Sequence, residues 1–223
     1  MSCCAILVAA GSSRRMGFDK LAAHLAGVPV LRRSLEAFLT ASSISSVVIV
    51  APQDRFDALL AGNFSKSVIR VDGGEGRQDS VQHGLAAVPE GTTLVAIHDG
   101  ARPLVSPEAI DRCVAAAAEH GAAALARPVT ETLKRGDEQG FARESVERER
   151  LWFMETPQAF QLPLILRAYA EVNRQSRVVT DEVSALELID HATLLMDAGK
   201  PNLKITHPSD LALAEALLGT IRE

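Results

Sequence analysis

The chain has 223 residues, 47% of them apolar and 23% charged, with a formal net charge of −5 at pH 7. This is ordinary globular usage, too apolar for disorder as the main state and long enough to bury one sizeable core. An acidic balance without any Lys/Arg run excludes a typical nucleic-acid binder, and no apolar run approaches the roughly 18 residues needed to span a bilayer.

Cys3-Cys4-Ala5-Ile6-Leu7-Val8-Ala9 is a short apolar run closed by Gly11 and Ser12. Such a run, ended by small turn residues, predicts a strand buried on both faces. No basic stretch precedes it, so it does not read as an export signal, and a cytosolic protein is expected. Pro29 opens a helix in which Val30, Leu31, Leu35, Phe38 and Leu39 share one face. Residues 47–51, 68–71 and 93–98 predict the second, third and fourth strands. Ser106, Pro107 and Glu108 read as a cap, a first-turn proline and a first-turn acid. The Ala-rich stretch after them is the helix, and Gly121 stands just past its end. Residues 122–126 give a further strand. Pro208, Ser209 and Asp210 start a last helix with Leu211, Leu213, Ala214, Leu217 and Leu218 on its apolar side. The alternation predicts a single α/β domain over 1–223: an open, mostly parallel twisted sheet with helices on both faces. Cys3, Cys4 and Cys113 lack metal-ligand or disulfide spacing and are expected as small core residues.

The rhythm breaks over residues 130–157. Residues 130–134 alternate polar and apolar, Arg135 to Gly140 reads as a turn-like tip, and a charged stretch from Ser145 to Arg150 has little to bury. This predicts a protruding two-stranded β-arm rather than a core element. An isolated ribbon is marginal in water, so a second subunit is the economical surface for it to lie on; a flexible surface hairpin is the alternative. Trp152, between Leu151 and Phe153, is expected to anchor the arm's base or a subunit contact.

Three clusters carry the chemistry. After the first strand come Ala9, Ala10, Gly11, Ser12, Ser13, Arg14 and Arg15, with Lys20 close behind. Ligands of open α/β sheets sit at carboxyl ends of strands, and small residues there let backbone N–H groups approach a phosphate. Neither a Walker loop nor a GxGxxG fingerprint is present. A solvated basic turn is the competing reading. Three glycines in the run Asp72-Gly73-Gly74-Glu75-Gly76-Arg77-Gln78-Asp79-Ser80 suggest close backbone approach to a ligand. His98-Asp99-Gly100-Ala101-Arg102-Pro103 ends the fourth strand: Asp99 is placed to meet a magnesium–phosphate complex, and Arg102 a phosphate. The six histidines are scattered, and His98 reads as a buried strand-end residue with a satisfied ring nitrogen.

Taken together, Ala9-Ala10-Gly11 with Arg15-Met16 and Lys20, Asp99 to Pro103, Thr156-Pro157-Gln158, Thr180-Asp181-Glu182, and Asn202-x-Lys204-Ile205-Thr206 resemble the 2-C-methyl-D-erythritol 4-phosphate cytidylyltransferase family. The likeness spans nearly the whole chain. It implies a Rossmann-like nucleotidyltransferase that joins CTP to methylerythritol phosphate, releasing pyrophosphate, in non-mevalonate isoprenoid biosynthesis. It implies that Arg15 and Lys20 stabilise the triphosphate, and that Ala9, Ala10, Gly11, Gly74, Gln78 and Ser80 hold the cytidine and its sugar. Asp99 and Arg102 would meet substrate or metal-bound phosphate, with Mg2+ held mainly through the phosphates. Thr180 and Lys204 would bind the acceptor, and Arg148 and Lys204 would position its attacking phosphate. The arm would reach a partner in a homodimer, so that Thr132, Arg148 and Thr156 complete the neighbour's site.

The chemistry is coherent with these residue types. A phosphate monoester is mostly dianionic near pH 7 and needs no general base. It needs relief from repulsion against the triphosphate, on the order of 4 kcal/mol per unit pair at 4 Å and an effective dielectric near 20. Converging cations supply it. Competing readings are a ribitol-phosphate cytidylyltransferase, a molybdenum-cofactor guanylyltransferase, and a non-catalytic nucleotide-binding regulator.

Overall fold

The computed structural model describes residues 2–11 and 17–221. Its centre is a seven-stranded sheet. In chain order the strands are β1 (Cys3–Val8), β4 (Ile44–Val50), β5 (Ser67–Val71), β6 (Leu94–Asp99), β7 (Ala122–Pro128), β10 (Trp152–Gln161) and β11 (Leu194–Asp197). They lie side by side as β11-β7-β10-β6-β1-β4-β5. β1 runs parallel to β4 and β6, β4 to β5, and β11 to β7, whereas β10 is antiparallel to both of its neighbours. Two short ribbons stand apart, β2 (His24–Leu25) with β3 (Val28–Pro29), and β8 (Leu133–Gly136) with β9 (Ala142–Val146).

The helices cover both faces because the buried strands present apolar side chains alternately to each. Cys3, Ala5 and Leu7 of β1 join a core beneath α1 (Val30–Thr40), α4 (Pro107–His120) and α7 (Ser209–Ile221). Cys4 and Ile6 join the opposite core beneath α3 (Arg77–Ala86), α5 (Leu162–Arg174) and α6 (Glu182–Glu187). A further helix, α2 (Gln53–Leu59), sits between β4 and β5. All three cysteines are buried and unpaired. No helix among the described residues is long and apolar enough to cross a membrane.

Local signals explain most boundaries. Ser106 caps α4 by accepting from the Ala109 N–H at 3.2 Å, Pro107 occupies its first turn, and Gly121 ends it at φ 87°. Pro29 stands one position earlier than expected, as the residue preceding α1 and a member of β3. Asp210 anchors α7 by accepting from Thr206 and His207 N–H groups, both at 2.8 Å.

The expectation for residues 130–157 needs correction in its second half. Pairing runs from Leu133–Val146 to Gly136–Ala142, so the turn lies at 137–141 and Arg135 and Gly136 are strand residues. From Trp152 onward the chain is back in the body, with Trp152 paired to Pro128 and Phe160 to Val95 and Ala122. The central strand β10 was hidden by its polar content: Glu155, Thr156 and Gln158 are 6%, 4% and 1% exposed. Its pairing with β7 is interrupted between Met154 and Gln158, and there the polar groups turn to other partners.

Candidate active site

β1 is where the chain order reverses: β4 and β5 are laid to one side, and β6 returns to the other. The carboxyl end of such a strand leaves a crevice between diverging connections. A cavity of about 520 Å³ opens there, within the range of small-ligand sites. Ala9, Ala10 and Gly11 form one wall, Gly74 to Arg77 and Ser80 another, and Lys20, Asp99 and Lys204 complete it.

The glycines of the second wall serve close packing of protein on protein. A Cβ on Gly73 would stand 2.2 Å from the Ala10 Cβ, and one on Gly74 would stand 2.3 Å from the Asp79 Cβ. The turn is then locked from within. Asp79 accepts from the Gly76 N–H at 2.8 Å, and the Ser80 hydroxyl accepts from the Gly74 N–H at 3.1 Å and donates to the Gly76 carbonyl at 2.9 Å. The first wall is braced by Arg55 of α2, which donates to the carbonyls of Ala9 and Gly11 and pairs with Asp19 at 2.9 Å.

At the cavity floor Asp99, 9% exposed, holds a cation on each oxygen: Arg77 Nε lies 3.2 Å from Oδ1, and Lys204 Nζ lies 2.7 Å from Oδ2. Burial pushes this carboxyl up. Lys204, Arg77 and Arg102 together outweigh that and hold it well below the usual carboxylate range. Arg77 in turn forks onto Glu182, with its two terminal nitrogens 2.7 and 3.0 Å from the carboxylate oxygens. Beneath Asp99, His98 is fully buried: the Thr156 hydroxyl lies 2.9 Å from Nδ1, and Nε2 lies 3.2 Å from the Arg102 carbonyl. Burial pushes its ring down to about 4 against the opposing pull of Asp99, so it is neutral at pH 7.

The motifs separated in the sequence meet in this network. Thr156 accepts from the Asp99 N–H at 3.1 Å, and Asn202 donates to the Thr156 carbonyl at 2.7 Å. Gln158 accepts from the Glu182 and Val183 N–H groups and donates to Asp181 at 3.0 Å. Thus the Thr156–Gln158 segment ties Asp99 on one side to the start of α6 on the other.

Of the residues expected in the site, Ala9, Ala10, Gly11, Lys20, Gly74, Ser80, Asp99 and Lys204 line the cavity together. Lys20 donates to the Ile205 carbonyl at 2.9 Å. Arg15 lies outside the described residues, as do Ser12, Ser13 and Arg14. Gln78 faces away, accepting from the Val179 N–H at 3.0 Å. Thr180 is exposed just before α6; Thr132 and Arg148 are exposed at the arm, where Arg148 donates to the Thr130 carbonyl. Arg102 gives its terminal nitrogens to the carbonyls of Asn202, at 2.8 Å, and Met154, at 3.2 Å, and its Nε lies 3.7 Å from Asp99 Oδ2, so it joins chain segments beside the cavity floor. Thr156 is buried, with its hydroxyl engaged by His98 and the Asp99 N–H.

Both Asp99 oxygens face cations, and among the described residues no three acidic, His or Cys side chains are grouped to hold an ion. Protein side chains alone therefore do not make up an Mg2+ ligand set there. The sequence does not single out Arg77 or Arg55: Arg77 stands within the Gly-rich run but its acids, Asp99 and Glu182, lie far along the chain, and nothing in the pattern around Arg55 distinguishes it from a surface helix residue.

Comparison with known proteins matches this geometry to one family. The IspD family, 2-C-methyl-D-erythritol 4-phosphate cytidylyltransferase, matches residues 3–220. The enzyme of that name from Synechococcus sp. (strain CC9902) is 43% identical over 220 residues, covering 96% of this chain and 97% of that protein. The one from Pelotomaculum thermopropionicum is 40% identical over 221 residues, covering 96% and 93%. The crystal structure of 2-C-methyl-D-erythritol 4-phosphate cytidylyltransferase from Thermus thermophilus superposes with a TM-score of 0.78 at 31% identity, covering 96% of this chain and 97% of that one. That of 4-diphosphocytidyl-2C-methyl-D-erythritol synthase from Anaerococcus prevotii gives 0.85 at 27% identity, covering 97% and 96%. A strand-end cavity lined with cations and agreement over the full length lead to one conclusion: the chain belongs to the 2-C-methyl-D-erythritol 4-phosphate cytidylyltransferase family.

Proposed function

We propose that the chain transfers the cytidylyl group of CTP to 2-C-methyl-D-erythritol 4-phosphate, giving CDP-methylerythritol and pyrophosphate, and that the cavity at the end of β1 is where this happens. The carrying observation is the convergence of Lys20, Arg77 and Lys204 on one cavity. Two polyanions brought together there meet positive charge from three directions. The described groups offer no proton shuttle. Asp99 is held ionised by its cations, and both His98 nitrogens are engaged under the floor. A phosphate monoester dianion attacking the α-phosphorus requires none.

In this reading Ala9, Ala10, Gly11, Gly74 and Ser80 receive the nucleotide, with Arg15 and Lys20 on its phosphates. Lys204 and Thr180 receive the acceptor. Lys204 would exchange part of its hold on Asp99 for the acceptor phosphate. The arm would dock on a second copy of the chain, carrying Thr132 and Arg148 to the partner's acceptor end. Mg2+ would be carried by the phosphate oxygens of CTP rather than by side chains. Three buried, unpaired cysteines suit a reducing cytoplasm.

The test is pyrophosphate release from each of CTP, GTP, ATP and UTP, with methylerythritol phosphate or ribitol phosphate as acceptor. CTP with methylerythritol phosphate gives the fastest release. Preference for ribitol phosphate, or for another nucleotide, overturns the assignment.

A further inference from the structure

Glu182 is a carboxylate with no exposed surface, taken out of water at the start of a short helix. Replacing a buried ion pair by apolar side chains is often neutral for stability, so its presence calls for more than adhesion between α3 and α6. Its surroundings are fully specified. Arg77 holds both oxygens, the Tyr169 hydroxyl donates to Oε1 at 3.1 Å, and Gln158 fixes the backbone N–H at 3.1 Å.

The consequence appears one residue further on. Arginine prefers to grip a carboxylate with two parallel N–H bonds. Asp99 stands within reach of Arg77 but receives only Nε, on Oδ1, because both terminal nitrogens are spent on Glu182. Oδ2 is thereby left to Lys204, 2.7 Å away with 38% of its side chain accessible, while the Arg102 Nε stands farther off at 3.7 Å with its terminal nitrogens on carbonyls. Were Arg77 released, its fork would cover both Asp99 oxygens. Lys204, a single flexible ammonium, would be the weaker competitor.

We propose that Glu182 is a positioning residue: by occupying the two terminal nitrogens of Arg77 it prevents that arginine from chelating Asp99, and so keeps Lys204 seated at the cavity floor. Glu182 touches neither substrate nor reacting atoms; it acts through Arg77 and Asp99. The arrangement links the start of α6, the acceptor end, to the N-terminus of α3, the nucleotide wall. Its kinetic consequence rests on the proposed cytidylyl transfer, while its structural core does not.

The experiment therefore has two arms on Glu182→Gln, which keeps the shape and removes the charge. In the first, the folded protein without substrates is acylated briefly with acetic anhydride, and the modification of Lys204 is measured by peptide mass spectrometry relative to exposed Lys200. The expected result is a rise of about threefold in the Lys204/Lys200 ratio as its ion pair is lost. Adding Arg77→Lys to Glu182→Gln returns the ratio toward the parent value, because a lysine has no fork with which to displace Lys204. In the second arm, kcat falls about tenfold or more, with KM for CTP within about twofold. An unchanged labelling ratio, or no return in the double variant, overturns the proposal even if thermal stability drops, since stability is all that a purely adhesive pair would supply. If Glu182→Gln does not fold, Glu182→Met, of similar length and without an oxygen, takes its place and frees the same two nitrogens of Arg77. A rise of about threefold in the ratio then supports the proposal, and an unchanged ratio overturns it. A labelling shift in a protein that shows no turnover with CTP leaves the positioning role standing and removes the assigned reaction instead.

Discussion

The cavity floor and the arm are both dense in charge, and burial makes them different objects. On the arm, Arg135 and Glu144 pair at 2.5 Å with 70% and 57% of their side chains exposed. Water screens such pairs, and they contribute little. At the floor, Glu182 is fully buried and Asp99 nearly so, and each of their oxygens has a named partner. A charge there cannot be removed without leaving its partner stranded. The same residue types decorate one region and determine geometry in the other.

The largest break of this contrast is expected at Lys204. Lys204→Met removes the ammonium that meets Asp99 and points into the cavity. The expected loss is about 10²–10³-fold in kcat, the scale for deleting one charge-stabilising donor, with CTP binding retained in calorimetry. Turnover near the parent value would place the phosphate-handling charge elsewhere.

A second expectation concerns acid. The folded-state pKa of His98 is depressed to about 4 from 6.5 because burial disfavours the imidazolium. The unfolded chain therefore takes up the proton first as pH falls. The His98 contribution is fully present above pH 6.5 and is lost progressively on the way down to about pH 4. Between pH 7 and 5 the loss is about 2 kcal/mol in denaturant unfolding. Asp99, depressed by its cations, adds a further loss below its ordinary carboxylate range. His98→Asn should flatten the slope above pH 5; an unaltered slope would assign it to other groups.

The arm gives the smallest effects on stability. Arg135→Ala should change it by no more than about 0.5 kcal/mol. Arg148→Ala, equally exposed, should also leave stability unchanged but reduce acceptor use, if it serves a partner's site. Mixing it with Arg15→Ala would then restore part of the activity through hybrid dimers. Absence of recovery in verified hybrids means that each subunit holds a self-contained site.

Most of the sheet could be read from the sequence because parallel strands buried on both faces are written as continuous apolar runs, as in β1, β4 and β6. β10 escaped that logic. Its buried Glu155, Thr156 and Gln158 serve a polar network rather than an apolar core, so a central strand looked like the root of a solvent-facing ribbon. In the site, small residues and lysines at strand ends were legible from their spacing. The partners of Arg102 were not legible, because nothing local to it announces that Met154 and Asn202, 52 and 100 positions away, would take its terminal nitrogens. Arg77 was overlooked for the same reason, with Glu182 lying 105 positions away.

The return of the chain at Trp152 also decides how the arm can be engineered. A deletion confined to 131–147, rejoined by a short turn, removes the ribbon and spares the ladder that begins with Trp152 opposite Pro128. Extending the cut to Pro157 would excise much of the stave that separates β6 from β7 and split the row of strands in two. A shortened enzyme is thus obtainable only by pruning above the point where the ribbon is grafted.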